Sequence, residues 1–239
     1  MIPAASLILV RDSASAEPEI LLIERSAAMT FAAGAFVFPG GRIDPGDEHM
    51  AGADAAKVAA IRECIEESGI AAGLSPCPSP EIAREMQDAL LAGEPFAGLL
   101  KGYALNIDLE ALTPFAHWQP GPEVSRRFDT RFFIARAPAG PWTPNPASGE
   151  CVSARWTSTR QLLDDEARGA VKLIYPTRKT LERLALHDSV DAMLADARAH
   201  PVVPITPGIE EEDGQKYLRI PEGLGFPVTR DPLARYRRG

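Results

Sequence analysis

The sequence has few cysteines, no long apolar run and no excess of basic residues. Its three cysteines, Cys64, Cys77 and Cys151, are widely separated and odd in number. This argues against a zinc site or a disulfide framework and favours a reducing cytoplasm. No uncharged apolar run reaches the roughly 18 residues that a membrane-spanning helix needs, so no membrane span is predicted. Residues 1–10 lack the basic start and cleavage site of a signal peptide, and we interpret them as a strand.

The charge balance excludes a further class of partner. With 25 basic and 33 acidic residues, the formal net charge is −8, and no basic stripe is present. We therefore expect a small molecule rather than nucleic acid as the main partner, because nucleic-acid binding rests on clustered Lys and Arg. The Trp and Phe residues are too dispersed to form a base-stacking platform. The 239 residues are enough for one large domain, and no internal repeat is visible.

Short apolar runs alternate with helical patterns along the chain, which predicts an α+β fold with a mixed sheet flanked by helices. The predicted strands are 5–10, 19–24, 36–38, 127–135 and 151–157, with shorter ones at 202–206 and 216–220. The predicted helices are 54–68, 80–91, 96–103, 161–166, 177–187 and 191–199. We interpret 1–239 as a single domain, in which about 75–112 is a helical insertion and 42–52 a turn-rich stretch. The C-terminal helical region and Pro-rich tail span about 176–239. One role for this tail is a subunit-bridging arm, which would make the protein a homodimer.

The helix at 54–68 carries the most informative side chains. Glu63 lies one turn from both Glu66 and Glu67, so three carboxylates share one helical face. They repel one another, and they lie close to the helix C-terminus, where the macrodipole disfavours anions. A hard divalent cation such as Mg²⁺ would offset both effects. The alternative is a solvated acidic face with no function.

The flanking residues have the expected helix boundaries. Asp54 is the predicted N-cap residue and Gly69 the predicted residue after the C-terminus. The segment 62–70 reads R-E-C-I-E-E-S-G-I, and Phe38-Pro39-Gly40-Gly41 precedes it. In these features the sequence resembles the Nudix hydrolase family, whose box runs G-x5-E-x7-R-E-U-x-E-E-x-G-U, with U an apolar residue. The second half of the box matches at every specified position.

The first half of the box departs from the pattern. Five residues after Gly41 stands Asp47 in place of Glu, and 14 residues then separate it from Arg62 in place of seven. Either seven residues are inserted after Asp47, or Asp54 fills the acidic position at the usual spacing before Arg62. In the family this acidic residue supports the loop and pairs with the arginine, so the two alternatives predict different partners for Arg62.

The resemblance implies an α/β/α sandwich, the Nudix fold, and a metal-dependent hydrolase that cleaves a diphosphate bond. Glu63, Glu66 and Glu67 would hold Mg²⁺ or Mn²⁺, and Arg62 would orient them by ion pairing. Gly41 would offer a backbone carbonyl to the metal, and Phe38, Gly40 and Gly41 would line the substrate site. The general base would be a box glutamate or a distant one, for which Glu123 and Glu150 are the candidates.

A finer resemblance concerns the substrate. Residues matching a coenzyme A diphosphatase pattern are Leu21, Leu22, Ser26, Gly34 and Phe38 to Gly41. The segments 113–118 and 126–133 are similar to the peroxisomal acyl-coenzyme A diphosphatase subfamily and its bacterial relatives. Coenzyme A or acyl-coenzyme A is therefore the first substrate expected; ADP-ribose, a dinucleotide and a nucleotide sugar are alternatives.

Two arginines are candidates for binding this substrate. Arg127 and Arg131 alternate along a predicted strand with Asp129, and they would contact a 3′-phosphate or the diphosphate. The alternative is a solvated edge on which Asp129 pairs with the arginines. Two other functional classes are a non-catalytic nucleotide-binding module of the same fold and an enzyme that processes nucleic acid. The complete set of box glutamates and the acidic net charge, respectively, disfavour them.

Overall fold

The computed structural model describes residues 1–14, 17–29, 32–51, 54–121 and 128–236. The strands are β1 (Ile2–Arg11), β2 (Glu19–Arg25), β3 (Ala35–Val37), β4 (Gly40–Arg42), β5 (Leu74–Ser75), β6 (Asn106–Ile107), β7 (Thr113–Trp118), β8 (Phe128–Arg136), β9 (Cys151–Ser158), β10 (Lys172–Leu173), β11 (Pro204–Ile205), β12 (Gly208–Glu212), β13 (Gln215–Arg219) and β14 (Arg230–Pro232). The α-helices are α1 (Pro45–Ala51), α2 (Ala55–Ser68), α3 (Pro80–Leu91), α4 (Phe96–Gly102), α5 (Thr159–Ala167), α6 (Tyr175–Leu184) and α7 (Val190–Ala199).

One mixed sheet forms the centre of the fold. Among the described residues it has nine strands, in the order β10-β3-β2-β1-β8-β7-β11, with β4 paired to β1 and β9 paired to β2. The central strand β1 runs parallel to β8 from Ile2, opposite Phe128, to Val10, opposite Arg136. It runs antiparallel to β2 and β4 along its other edge. Because β4 joins this edge, the Gly40-Gly41 segment lies against the middle of the sheet.

The two faces of the sheet are buried in two separate cores, because successive side chains of a strand point to opposite faces. Leu7 and Leu9 of β1 pack in one core with α2, α3 and α4. Ile8 and Val10 pack in the other core with α6, α7 and the C-terminal segment. This arrangement confirms the predicted α/β/α sandwich with a helical insertion after the box helix. The helix α2 lies on the first face, over β1 and β4.

Several parts of the secondary structure differ from the sequence prediction, which also did not include the short strands β4, β5, β6, β10, β12 and β14. The stretch 42–52, predicted as turns, contains the helix α1, in which Pro45 occupies the first position and acidic residues follow in the first turn. Both features favour a helix start. The strand β7 was not predicted; its pairing with β8 is interrupted by a register shift between Pro114 and Ala116, which breaks the simple alternation of a strand.

The C-terminal segment closes the second core. Phe226 packs against Trp118 with ring centroids 5.5 Å apart. The buried Lys179 of α6 forms ion pairs with Asp231 at 2.5 Å and with Glu182 at 2.6 Å. The segment after residue 200 is therefore anchored by an aromatic contact and by a buried ion pair. None of the helices in the described part of the chain is long and apolar enough to cross a membrane.

Candidate active site

The guanidinium of Arg62 is the centre of a buried network beneath the 38–47 loop. Its Nε and Nη2 donate to the two carboxylate oxygens of Asp47 at 3.0 and 2.9 Å, and Nη2 also donates to the carbonyl of Arg42 at 2.9 Å. Its Nη1 donates to Glu63 Oε1 and to Glu66 Oε2, both at 3.0 Å. Burial alone would lower the pKa of Arg62, but the hydrogen bond to Asp47 and the surrounding carboxylates raise it. Arg62 therefore stays charged and directs all its N–H donors at protein acceptors.

Asp47, and not Asp54, fills the first acidic position of the box. Asp47 is buried, and besides holding Arg62 it accepts the backbone N–H of Asp44 at 2.8 Å. This bond reaches back to the start of α1 in the manner of a capping box, so one carboxylate both begins the extra helix and pairs with the arginine. Asp54 precedes α2 as predicted, but it is exposed and its side chain makes no capping hydrogen bond. The residues in excess of the usual box spacing therefore lie between Asp47 and Arg62, where α1 continues to Ala51.

The two glycines before the box helix allow a close approach of backbone to carboxylates. A Cβ on Gly41 would lie 2.4 Å from Glu63 Oε1, and one on Gly40 would lie 2.4 Å from the carbonyl oxygen of Ala5. The N–H of Gly40 donates to Glu67 Oε2 at 2.7 Å. A larger residue at either position would displace the strand or a carboxylate.

Burial raises the pKa values of the three glutamates, and repulsion between their charges adds to the effect. Their side chains are 14%, 21% and 6% exposed for Glu63, Glu66 and Glu67, respectively. Burial raises the pKa of Glu63 to about 7, with a further contribution from the charge of Glu66, although Arg62 opposes the shift. Burial also raises the pKa of Glu66, and burial together with the charge of Glu63 raises that of Glu67. The protein therefore holds these carboxylates where ionisation is unfavourable without an additional positive charge.

The charges of the cluster do not balance. Its largely buried side chains are four carboxylates and two guanidiniums, which leaves an excess of two negative charges when all are ionised; the exposed Asp44, 3.8 Å from Arg62, adds a further carboxylate at the edge. The members are Asp47, Glu63, Glu66 and Glu67, with Arg25 and Arg62; Arg25 Nη1 lies 3.8 Å from Glu67 Oε1. An oxygen-donor set with this excess suits one divalent cation of the Mg²⁺ type.

The carboxylates are at present directed at protein donors. Nη1 of Arg62 is bonded to both Glu63 and Glu66, and Glu67 is turned towards the N–H of Gly40. Consistent with this, no three His, Cys, Asp or Glu side chains converge as a metal-binding shell within the residues that the structure describes. The chemistry of the donors fits a cation, whereas their orientation here is the one that Arg62 and Gly40 impose.

The remaining residues predicted for the site lie in different environments. Phe38 is buried, with its ring edge-on to Phe132 at 6.3 Å between centroids. Arg131 is exposed on β8. Glu150 is exposed in the turn before β9, and its charge contributes to the raised pKa of Glu67. Two predicted residues, Arg127 and Glu123, fall outside the described residues.

Sequence reasoning missed several residues that contact the site, among them three in the described part of the chain. Arg25, at the end of β2, approaches Glu67. Gln87 and Asn145 bond to each other and to the last turn of α2. A basic residue at a strand end is a weak signal, and an isolated Gln or Asn carries no spacing pattern. Only the folded arrangement identifies them.

Comparison with known proteins agrees with this arrangement. Residues 1–87 match the sequence model of the NUDIX domain. A NUDIX hydrolase from Alicyclobacillus acidocaldarius is 26% identical, and the alignment covers 82% of this chain and 96% of that protein with a TM-score of 0.71. No protein with a curated description matches the sequence.

Two more distant structures also align. The NUDIX domain of Shewanella oneidensis NrtR, solved with ADP ribose, is 12% identical over 78% of this chain and 86% of its own, with a TM-score of 0.48. A Caenorhabditis elegans Ap4A hydrolase is 18% identical over 82% of this chain and 98% of its own, with a TM-score of 0.44.

Proposed function

Because this chain belongs to the Nudix domain family and is a hydrolase, we propose that it hydrolyses a diphosphate bond in a nucleoside diphosphate-linked small molecule. The observation that carries this proposal is the excess of two negative charges beside Gly41, where Glu63, Glu66 and Glu67 are held together. A diphosphate is itself anionic. It would bind beside three carboxylates only when a cation lies between the two.

The three glutamates would hold that cation, Mg²⁺ or Mn²⁺, and Gly41 would add its backbone carbonyl. A bound divalent ion neutralises phosphate charge and lowers the pKa of a coordinated water. Arg62 does not contact substrate, since all its donors are used inside the protein. It is a positioning residue that fixes Glu63 and Glu66.

Glu150 is our candidate for the general base among the described residues. It is exposed, and its backbone carbonyl accepts from the N–H of Ser26, the residue after Arg25, whose guanidinium lies 3.8 Å from Glu67. In the overall reaction, the oxygen of water bonds to one phosphorus, the bond from that phosphorus to the bridging oxygen breaks, the bridging oxygen leaves with the other phosphorus, and the attacking water gives up a proton. A base near Glu67 would accept that proton.

Coenzyme A or acyl-coenzyme A is the substrate that we propose first. Besides the sequence resemblance, the sheet register supports it. Gly41 lies opposite Ala5, Ala5 lies opposite Arg131, and Arg131 lies opposite His117. Opposed residues of neighbouring strands point to the same face, so Arg131 projects from the face on which Glu63 lies against Gly41.

The distance between Gly41 and Arg131 suits a second anionic group of the substrate. Two strand spacings separate Gly41 from Arg131, which amounts to about 10 Å between backbones. Asp129 is paired with His117, and Arg131 forms no ion pair with any residue that the structure describes. Its guanidinium would therefore bind a phosphate outside the diphosphate, such as the 3′-phosphate of coenzyme A, in agreement with the arrangement of donors that phosphates favour.

The test is hydrolysis of a panel in Mg²⁺ or Mn²⁺: coenzyme A, acetyl-coenzyme A, dephospho-coenzyme A, ADP-ribose, NADH and a nucleotide sugar. We expect turnover of the coenzyme A compounds, giving 3′,5′-adenosine diphosphate, and a loss of at least about 100-fold in kcat in Glu66→Gln. Glu94→Gln, which changes an exposed glutamate in the turn after α3, is the matched control and should retain activity.

The same panel tests the substrate assignment independently of the metal-dependent mechanism. Arg131→Ala should raise KM for coenzyme A about 10-fold and leave dephospho-coenzyme A unchanged, while the exposed Arg84→Ala should alter neither. Turnover of ADP-ribose, NADH or a nucleotide sugar in preference would refute the coenzyme A assignment and retain the diphosphatase. Activity that survives in Glu66→Gln would refute the metal-dependent mechanism at this site.

A further inference from the structure

The last turn of α2 is held by groups from two distant parts of the chain. An α-helix leaves its final carbonyls without partners inside the helix. Here the carbonyl of Glu66 accepts from Gln87 Nε2 at 2.9 Å, and that of Ser68 accepts from the backbone N–H of Asn145 at 2.7 Å. The carbonyl of Glu67 lies 3.4 Å from the backbone nitrogen of Ala147. Two of these carbonyls belong to the proposed metal ligands themselves.

Gln87 and Asn145 also bond to each other. Gln87 Nε2 donates to the carbonyl of Asn145 at 2.8 Å, and Asn145 Nδ2 donates to Gln87 Oε1 at 2.8 Å. The side chain of Gln87 is fully buried, so both its donors and its acceptor are satisfied inside the protein. A Cβ on Gly69 would lie 2.8 Å from Gln87 Oε1. The glycine that ends the box helix is thus needed for this contact as well as for its positive φ of 69°.

The segment that begins at Asn145 leads directly to the candidate base. The N–H of Cys151 donates to the carbonyl of Ala147 at 3.1 Å, which closes this segment into a turn. The carbonyl of Glu150 accepts from the N–H of Ser26 at 2.8 Å, one residue beyond Arg25. The segment 145–151 is therefore fixed at one end to α2 and at the other end to the exit from β2.

We propose that Gln87 and Asn145 are positioning residues, which hold the Glu66-Glu67 end of α2 and the segment carrying Glu150 in one arrangement. This inference rests on the proposed function, because it concerns the cation that Glu66 and Glu67 would bind. A helix ending in glycine can satisfy its carbonyls with its own following N–H groups. The amide pair adds a rigid connection between three segments, at residues 66–69, 87 and 145–150, that a simple cap does not supply.

Gln87 and Asn145 would act on the site through the orientation of the Glu66 and Glu67 side chains. Backbone carbonyls of Glu66 and Glu67 that are fixed in space fix the direction in which their side chains leave the helix. Loss of outer-shell partners of metal ligands typically costs about 10- to 100-fold in metal affinity or activity. Since Gln87 bonds to Glu66 through the backbone, its removal leaves the ligand chemistry unchanged and alters only the ligand geometry.

The test compares Gln87→Met, Asn145→Ala and the double variant with the intact chain. Met has a similar volume to Gln and lacks the amide, and Asn145→Ala leaves α3 intact. The control is Ser79→Ala, which removes the side-chain cap of α3 at Ile82 N and destabilises the same helix without touching α2. Mn²⁺ affinity of the free protein is measured by titration, kcat and KM are measured in Mg²⁺, and stability is measured by denaturant unfolding.

We expect each single variant to weaken Mn²⁺ binding and lower kcat by about 10-fold or more, and the double variant to lose little beyond the singles because the pair acts as a unit. Ser79→Ala should bind Mn²⁺ as the intact chain does. Unchanged Mn²⁺ affinity and kcat in both single variants, even with reduced stability, would overturn the positioning role. Absence of Mn²⁺ binding in the intact chain would instead overturn the proposed function, so the two failures are distinguishable.

Discussion

Asp47 accepts two parallel hydrogen bonds from Arg62, of 3.0 and 2.9 Å. It lies in α1, a helix for which the usual spacing of the box leaves no room. The pair connects the start of α1 to the middle of α2 and leaves Nη1 of Arg62 for Glu63 and Glu66. The extra helix therefore does not interrupt the box. It supplies the box with its acidic residue.

We expect Asp47→Asn to destabilise the protein by about 1–3 kcal/mol, because Asn offers one oxygen where the carboxylate offers two, which leaves one buried N–H of Arg62 without its acceptor. The Mg²⁺ concentration for half-maximal activity should rise about 10-fold, since Arg62 is no longer held in the orientation that fixes Glu63 and Glu66. Denaturant unfolding and metal titration measure the two effects. Asp54→Asn is the matched control, and its exposed side chain predicts a change within about 0.5 kcal/mol. The opposite ranking of the two variants would mean that Asp54 is the box acid.

Gly41→Ala should reduce kcat by at least about 10-fold and stability by about 1–3 kcal/mol, because its Cβ would overlap the Glu63 carboxylate. Gly46→Ala is the contrasting variant. A Cβ at Gly46 meets nothing within 4 Å, and the residue lies in α1, so about 0.5–1 kcal/mol of stabilisation is expected. Steady-state kinetics and thermal unfolding of the pair distinguish a steric role of Gly41 from a general requirement for loop flexibility. Equal effects of both substitutions would rule out the steric role.

Without a divalent ion, we expect stability to fall as the pH rises. Burial raises the pKa of Glu63 to about 7 in the folded protein, from an ordinary value of 4.5, so the folded state binds more protons than the unfolded state between these values. The free energy of unfolding therefore decreases as pH increases through this window and levels off above it. Thermal unfolding in a chelator, from about pH 5 to about pH 8, measures the slope.

Two comparisons identify the source of that slope. Glu63→Gln cannot ionise and should reduce the slope, with the remainder due to Glu66 and Glu67, whose pKa values burial also raises. Glu94→Gln should keep the slope of the intact chain. Saturating Mg²⁺ should restore stability at the high-pH end, by about 2.7 kcal/mol at a concentration 100 times the dissociation constant. A slope that is unchanged in Glu63→Gln would assign the pH dependence to other groups.

Lys179→Met should cost about 3–5 kcal/mol, because it leaves the buried Asp231 without its cation, whereas Glu182 keeps its ion pair with Arg178. The activity per folded molecule should not change, since Lys179 lies in the second core, on the other face of the sheet from α2. Lys179→Met combined with Asp231→Leu should recover part of the loss. Lys216→Met, at an exposed position of β13, is the control. A loss of activity that exceeds the loss of folded protein would show that the C-terminal segment reaches the site.

Helical spacing alone predicted that Glu63, Glu66 and Glu67 share a face, because the period of an α-helix relates residues that are close in sequence. The same spacing could not decide between Asp47 and Asp54. Both satisfy the pattern under one of two alignments, and the decision depends on which carboxylate is buried against Arg62. Long-range pairing is the information that a single sequence lacks.

The pair formed by Gln87 and Asn145 could be predicted from the sequence even less than the pairing of Asp47 with Arg62. Gln87 and Asn145 are 58 residues apart in the chain, and neither belongs to a charged or glycine-rich motif. Their role depends on α3 and the segment before β9 meeting at the end of α2. Only the packing of the helical insertion brings them together. The fold class, in contrast, follows from the order of apolar runs, which is a local property.

The parallel pairing of β1 with β8 has a consequence for synthesis on the ribosome. Ile2 faces Phe128, so the central strand is made long before the neighbour that completes its edge. At translation rates of about 5–20 residues per second, β1 waits roughly 6–25 s for β8. During that interval, of the described strands that pair with β1, the antiparallel β2 and β4 are available, and the edge that β8 covers is unpaired. The nascent chain is therefore most vulnerable to misassociation before residue 136 has emerged, and this enzyme should depend on chaperones more than a protein whose central strands are neighbours in sequence.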